Sequence, residues 1–174
     1  MTDSRLPKIA TVFYGLSLVA LIGLPTLILL AIFVPSLEMF DTTGWTDIPR
    51  AQWVATTWIG FIAGVFPALF MWFAVNGMRR LFSLYRQGDP LAPQAASLIK
   101  SIGSHLLAAS LLGIIVMPIR TGLMSLQNPV GERAISIGIN SNTLGFVMLA
   151  GLLLLIGWSM SEAHKAVAEN KEFV

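Results

Sequence analysis

Apolar positions along this chain fall into four long runs, and every charged side chain lies between or beyond them. The runs extend from Ile9 to Leu37, Ala51 to Met78, Ser101 to Ile119 and Ala134 to Ser161, about 29, 28, 19 and 28 residues. A helix crosses the hydrocarbon core of a bilayer with roughly 20 mostly apolar residues. Within that core the chain must satisfy its own backbone polar groups, which a helix does. The pattern therefore predicts an all-α protein: one membrane domain over residues 1–174, a four-transmembrane-helix bundle with spans near 9–34, 53–78, 101–119 and 141–161. The first run is nearly twice the length of a signal-peptide core and has no small-residue cleavage site after it, so it reads as a retained anchor.

The polar segments orient the helices, because basic residues in short loops mark the cytoplasmic side. Arg5 and Lys8 precede the first run, Arg79, Arg80, Arg86 and Lys100 separate the second from the third, and Lys165 and Lys171 follow the fourth. Only Arg50, Arg120 and Arg133 fall in the other two loops, beside the acidic Glu38, Asp41 and Asp47. Eight against three places both termini in the cytoplasm. Trp45, Trp53 and Trp58 cluster where the second span begins, as an interfacial aromatic belt would.

The inner connection has its own pattern. Residues 79–87 hold no Gly or Pro and continue the second span. Gly88-Asp89-Pro90 reads as a helix stop and restart: Gly in the left-handed position, Asp as the next cap and Pro at the first helical position. Leu91, Ala95, Leu98 and Ile102 then recur on one helical face. Spans two and three thus extend as a cytoplasmic helical hairpin. The tail offers Glu162–Lys165 and Lys165–Glu169 as opposite-charge pairs on a continuing helix. In the outer loop, residues 134–139 alternate Ile with small residues, either a short strand or the mouth of the fourth helix.

Composition agrees with the membrane reading and narrows the chemistry. Charged residues make up 11% of the chain and hydrophobic ones 55%, against about 25% charged in soluble domains. A net charge of +2 is too small to suggest direct nucleic-acid binding, and the absence of cysteine excludes disulfides and thiolate metal sites. No Asp, Glu, Lys or Arg falls within a run, which argues against ion-coupled transport. His105 alone brings a readily titratable group into a span. It reads as a hydrogen-bonded interfacial residue rather than a metal or haem ligand, with His164 in the tail as its only fellow histidine. Zinc, phosphate-loop and nucleophile–base motifs are missing, so neither cofactor, metal nor catalysis is expected. Gly60 and Gly64 form a GxxxG pair, either a dimer face or a contact among the four helices. Pro25, Pro67 and Pro118 sit in or at the ends of spans, where kinked packing accounts for them.

The run Tyr85-Arg86-Gln87-Gly88-Asp89-Pro90-Leu91, followed by Leu98-Ile99-Lys100-Ser101-Ile102-Gly103, resembles the inner hairpin of the bacterial domain-of-unknown-function family 2975. The tail, Glu162-Ala163 and then Glu169-Asn170-Lys171-Glu172-Phe173-Val174, is similar to that family's ending. Leu91 stands where the family usually has Phe. The resemblance implies a small four-helix protein of the bacterial cytoplasmic (inner) membrane with no established activity. It also hints at a helix-turn-helix regulator as cytoplasmic partner. The residues expected to dock such a partner are Arg86, Gly88, Asp89, Pro90, Glu162, Glu169 and Asn170. The alternatives are a lipid- or small-hydrophobe-handling transporter or channel subunit with a cavity between its helices, and an accessory or self-associating subunit using Gly60 and Gly64.

Overall fold

The computed structural model describes residues 5–34, 46 and 48–172. Trp45, Glu38, Asp41, Asp47, Phe173 and Val174 lie outside them, as does the side chain of Asn170. Among the described residues five α-helices form: α1 (Arg5–Phe33), α2 (Ala55–Ala63), α3 (Phe66–Arg86), α4 (Pro93–Ser125) and α5 (Ser141–Glu172). A 3₁₀ turn, Arg50–Gln52, leads into α2. With α2 and α3 taken together, four helices are long and apolar enough to cross a membrane. Among the described residues there is no strand, and 132–140 are irregular rather than a strand or the mouth of α5.

The second span is broken because Pro67 stands one residue inside α3. Its ring cannot donate to the carbonyl four residues back and clashes with it. The chain therefore tightens at Gly64 and Val65, whose amides donate to Phe61 and Ile62 at 3.1 and 2.9 Å. Pro25 in α1 likewise leaves the Leu21 carbonyl without its helical donor. Here the indole Nε1 of Trp72 on α3 donates to that carbonyl at 2.9 Å, so a neighbouring span repairs the defect.

The hairpin closes through a Schellman turn. Gly88 adopts φ +82°, the Gly88 amide donates to Tyr85 and the Asp89 amide to Leu84, which satisfies the last carbonyls of α3. Asp89 does not cap α4. The N-cap is Ala92, without a side-chain bond, and Pro93 takes the first turn. Proline suits that position since its missing N–H would be unpaired anyway. Leu91 is consequently off the helix and 73% exposed.

Extensive contacts run α1–α3, α3–α4, α4–α5 and α2–α4. Spans thus pack in chain order, with no comparably extensive contact from α1 to α5. At the hairpin end the core is Ala74, Leu81, Ala95, Ile99, Ile102, Leu106 and Ala150. Small residues let the backbones approach. A Cβ on Gly157 would lie 2.7 Å from the Lys100 amide nitrogen, and one on Gly103 would lie 2.9 Å from the Ala150 carbonyl oxygen. Close approach of this kind is how helices gain contact where lipid offers no hydrophobic drive. A second cluster, Trp53, Phe61 and Met124, packs at the loop end. Trp53 is buried there, and its Nε1 donates to the Ile48 carbonyl at 2.9 Å. It faces the protein instead of joining a lipid-facing belt.

Candidate functional site

The α2–α3 break and the open packing of the outer spans leave a cleft of about 440 Å³. Leu24 of α1 lies on one side, Pro67 and Met71 follow the break, Gly113 and Met117 belong to α4, and Phe146 to α5. Glycine at 113 keeps the space empty, since a Cβ there would meet nothing within 4 Å. The polar residues in the wall are committed elsewhere. Ser110 Oγ donates to the Leu106 carbonyl at 2.9 Å. Asn140 Oδ1 accepts from the Thr143 amide at 2.8 Å and its hydroxyl at 2.9 Å, which caps the start of α5. What remains facing the space is mostly apolar, a surface that fits a largely hydrocarbon molecule.

Two sets of hydrogen bonds fasten neighbouring loop segments to the end of α4. Gln127, just beyond α4, accepts from the Val54 amide at 3.2 Å and the Thr57 hydroxyl at 3.0 Å, and donates to the Gln52 carbonyl at 2.7 Å. It fastens the N-cap residue of α2, which has no side-chain cap bond of its own, to the end of α4. The irregular segment after Gly131 is tied to α4 by its hydroxyls. Ser125 Oγ donates to the Ala134 carbonyl and accepts its amide, and Thr121 Oγ1 accepts the Ser136 amide at 2.9 Å. Non-helical backbone at membrane depth is tolerated only where it is satisfied in this way.

Arg120 requires a correction. The sequence reading ended the third span at Ile119 and counted Arg120 with a loop, yet α4 continues to Ser125. The residues after Arg120 hold no helix breaker stronger than Gly122. Arg120 therefore lies on helix α4 and not in a loop. Its guanidinium packs over Gly64, with Nη1 3.0 Å from where a Cβ would project. Gly64 ends α2, so the cation meets the negative end of that helix dipole. Gly64 is also part of the cleft wall.

Gly60 and Gly64 both face α4 of the same chain: a Cβ on Gly60 would sit 2.9 Å from Leu123 Cβ and 3.0 Å from the Arg120 carbonyl. The expected docking residues gather at the opposite end. Arg86 lies over the Tyr14 ring at 4.5 Å, tying the hairpin to α1. Gly88 and Asp89 are exposed and Pro90 half-buried. Glu162 pairs with Lys165 at 2.8 Å, and Glu169 is exposed. With Gly157 against Lys100, the antiparallel register sets Glu162 beside the first turn of α4 and Glu169 level with Gly88. These residues share one end of the molecule but enclose no cavity. His105 Nδ1 lies 2.7 Å from the Ser101 carbonyl, with the Phe70 and Phe73 rings 6.4 and 5.6 Å away. By the same register His164 is opposite Pro93, about 18 Å along α4 from His105. The two histidines are not neighbours.

Sequence reasoning passed over Gln127, Thr121, Ser125, Gly103 and Gly157. Thr121 and Ser125 are four apart on one helical face, a spacing visible once α4 is allowed to run past Arg120. Gln127 carries no local signal, because its partners lie 70 or more residues away. No family model, curated protein or solved structure matches the chain.

Proposed function

We propose that this is a multi-pass protein of a bacterial cytoplasmic membrane, with both termini inside, that binds an apolar molecule in the cleft beside the α2–α3 break. The cleft carries the reading: its volume of about 440 Å³ falls in the range of small-molecule sites, and its wall is mostly apolar. The orientation rests on the eight-to-three division of basic residues. The hairpin and tail motifs, similar to family 2975, support the bacterial four-span assignment. The residue inventory favours binding over catalysis. Arg120 is placed as a structural cation at the end of α2, so coupling to an ion is not part of the proposal.

A diazirine-bearing long-chain alcohol, photolysed with the protein in nanodiscs, should label α4 within residues 109–117. Gly113→Phe fills the space and should cut that labelling about tenfold, a loss near 1.4 kcal/mol. Gly151→Phe is the control, because a Cβ there also meets nothing within 4 Å and Gly151 is outside the cleft. Equal labelling in both variants would remove the cleft as the binding site.

A second reading has its own observation. Leu91 is 73% exposed at the tip beside Gly88 and Asp89, outside any apolar run, which suits a cytoplasmic protein partner docking on the hairpin. Co-purification from solubilised membranes with wild type and with Asp89→Arg and Leu91→Ser variants tests it. A partner retained equally by all three would count against the hairpin. Self-association through Gly60 and Gly64 is not proposed, since both are covered by α4.

A further inference from the structure

Apart from the cleft, a groove of about 620 Å³ runs between the last turns of α4 and the segment that returns from the loop. We propose that it binds an anionic phospholipid, with an acyl chain in the groove and the phosphate on Arg133. Ile119, Leu123, Leu126 and Ile135 supply apolar walls, and Arg133 stands among the lining residues. Arg133 Nε donates to the Asn128 carbonyl at 3.2 Å. That bond orients the guanidinium and leaves its two terminal nitrogens for another acceptor. A planar fork of this kind matches phosphate oxygens.

Depth supports the same occupant. Ala134 is tied to Ser125, Ser136 to Thr121, and Gly138 lies against Met117. From residue 134 to 138 the chain thus descends beside eight residues of α4, about 12 Å. Along that descent Ile135, Ile137 and Ile139 are 71, 77 and 62% exposed, while the alternate residues meet α4. Arg133 sits at the upper end, level with the end of α4, and the apolar face points outward below it. This is the order of a phospholipid read downward, charge first and hydrocarbon beneath. A neutral apolar ligand would leave Arg133 unused, and a second copy of the chain would have to bring an acid to this loop.

The test is native mass spectrometry of the full chain equilibrated in detergent with equal amounts of phosphatidylglycerol and phosphatidylcholine. The phosphatidylglycerol adduct should exceed the phosphatidylcholine adduct about tenfold. Arg133→Gln should bring the two level, and Arg133→Lys should restore part of the preference, which a folding defect would not do. Gly122→Leu fills the groove, and its Cβ is accommodated 3.5 Å from Ile135; it should reduce both adducts with Arg133 intact. Equal adducts in the wild type, a preference unmoved by Arg133→Gln, or adducts undiminished by Gly122→Leu, would overturn the proposal. A lipid-free dimer abolished by Gly122→Leu would overturn it too, by assigning the groove to a second copy. The cleft reading is independent, because its test variant at Gly113 lies outside the groove.

Discussion

Toward the hairpin, α3, α4 and α5 meet through glycine and alanine; toward the loops, Gly60 still packs closely on α4, but amides and hydroxyls tie the start of α2 and the segment after Gly131 to the end of α4. Gly103 against Ala150 and Gly157 against Lys100 bring backbones together at the first end, and Gly77 receives the Ile102 side chain. At the second, Gln127, Ser125 and Thr121 bridge gaps with directional bonds, and both the cleft and the groove open there. Dispersion at short range demands close fit everywhere, whereas a few hydrogen bonds can hold two elements apart at a fixed spacing. The cavities belong to the stapled half for that reason.

The close-packed half should be the less forgiving. Gly157→Leu would place a Cβ within 3.0 Å of the Lys100 backbone, which cannot move without displacing α4. A loss of about 3 kcal/mol is expected, read as an earlier midpoint when the protein in mixed micelles is unfolded with sodium dodecyl sulfate. Gly151→Leu, six residues away on the same helix and open around its Cβ, should change the midpoint by less than about 0.5 kcal/mol. Similar losses at both positions would show that helix propensity and not backbone approach sets the effect.

Between the two halves, Trp72 repairs the defect made by Pro25. Trp72→Phe should cost about 1–2 kcal/mol, because the Leu21 carbonyl then lacks a donor in an apolar setting. In a Pro25→Ala background residue 25 regains its N–H and can serve Leu21 from within α1. The same Trp72→Phe change should then cost about 1 kcal/mol less, the difference being the coupling of the two sites. A cycle that sums to zero would reduce the indole bond to an incidental contact.

What could be read from the sequence divides along the same line. Four charge-free runs gave the helices, and Gly88 gave the hairpin turn, since both depend on local composition and backbone geometry. Pro67 was visible, but whether it kinks or breaks a span depends on Gly64 and on what α4 places against it. Arg120 was assigned to a loop because a charge was taken as the end of a helix, when α4 continues to Ser125 and the negative end of α2 offers the cation a place beside it. Asp89 was taken as a cap from its type, whereas the Schellman turn uses its amide and Pro93 starts the helix. The cleft could not be seen at all. It depends on α1 and α5 standing apart, and on Gly113 having nothing opposite it, neither of which is written in any one segment.

Gln127 offers the finest test of the comparison. It replaces three bonds at once, yet all three lie at one corner, the start of α2. Gln127→Leu should therefore act as the loss of one helix cap, about 1 kcal/mol, and act locally. Amide exchange at Val54 and Thr57 should quicken by about fivefold to tenfold, which is that energy expressed as an opening equilibrium. Exchange at Ile99 and Ile102 in the close-packed core should stay as in the wild type. If those core amides quickened equally, the staples and the glycine contacts would be parts of one cooperative unit. The open half would then owe its cavities to something other than its separate fastening.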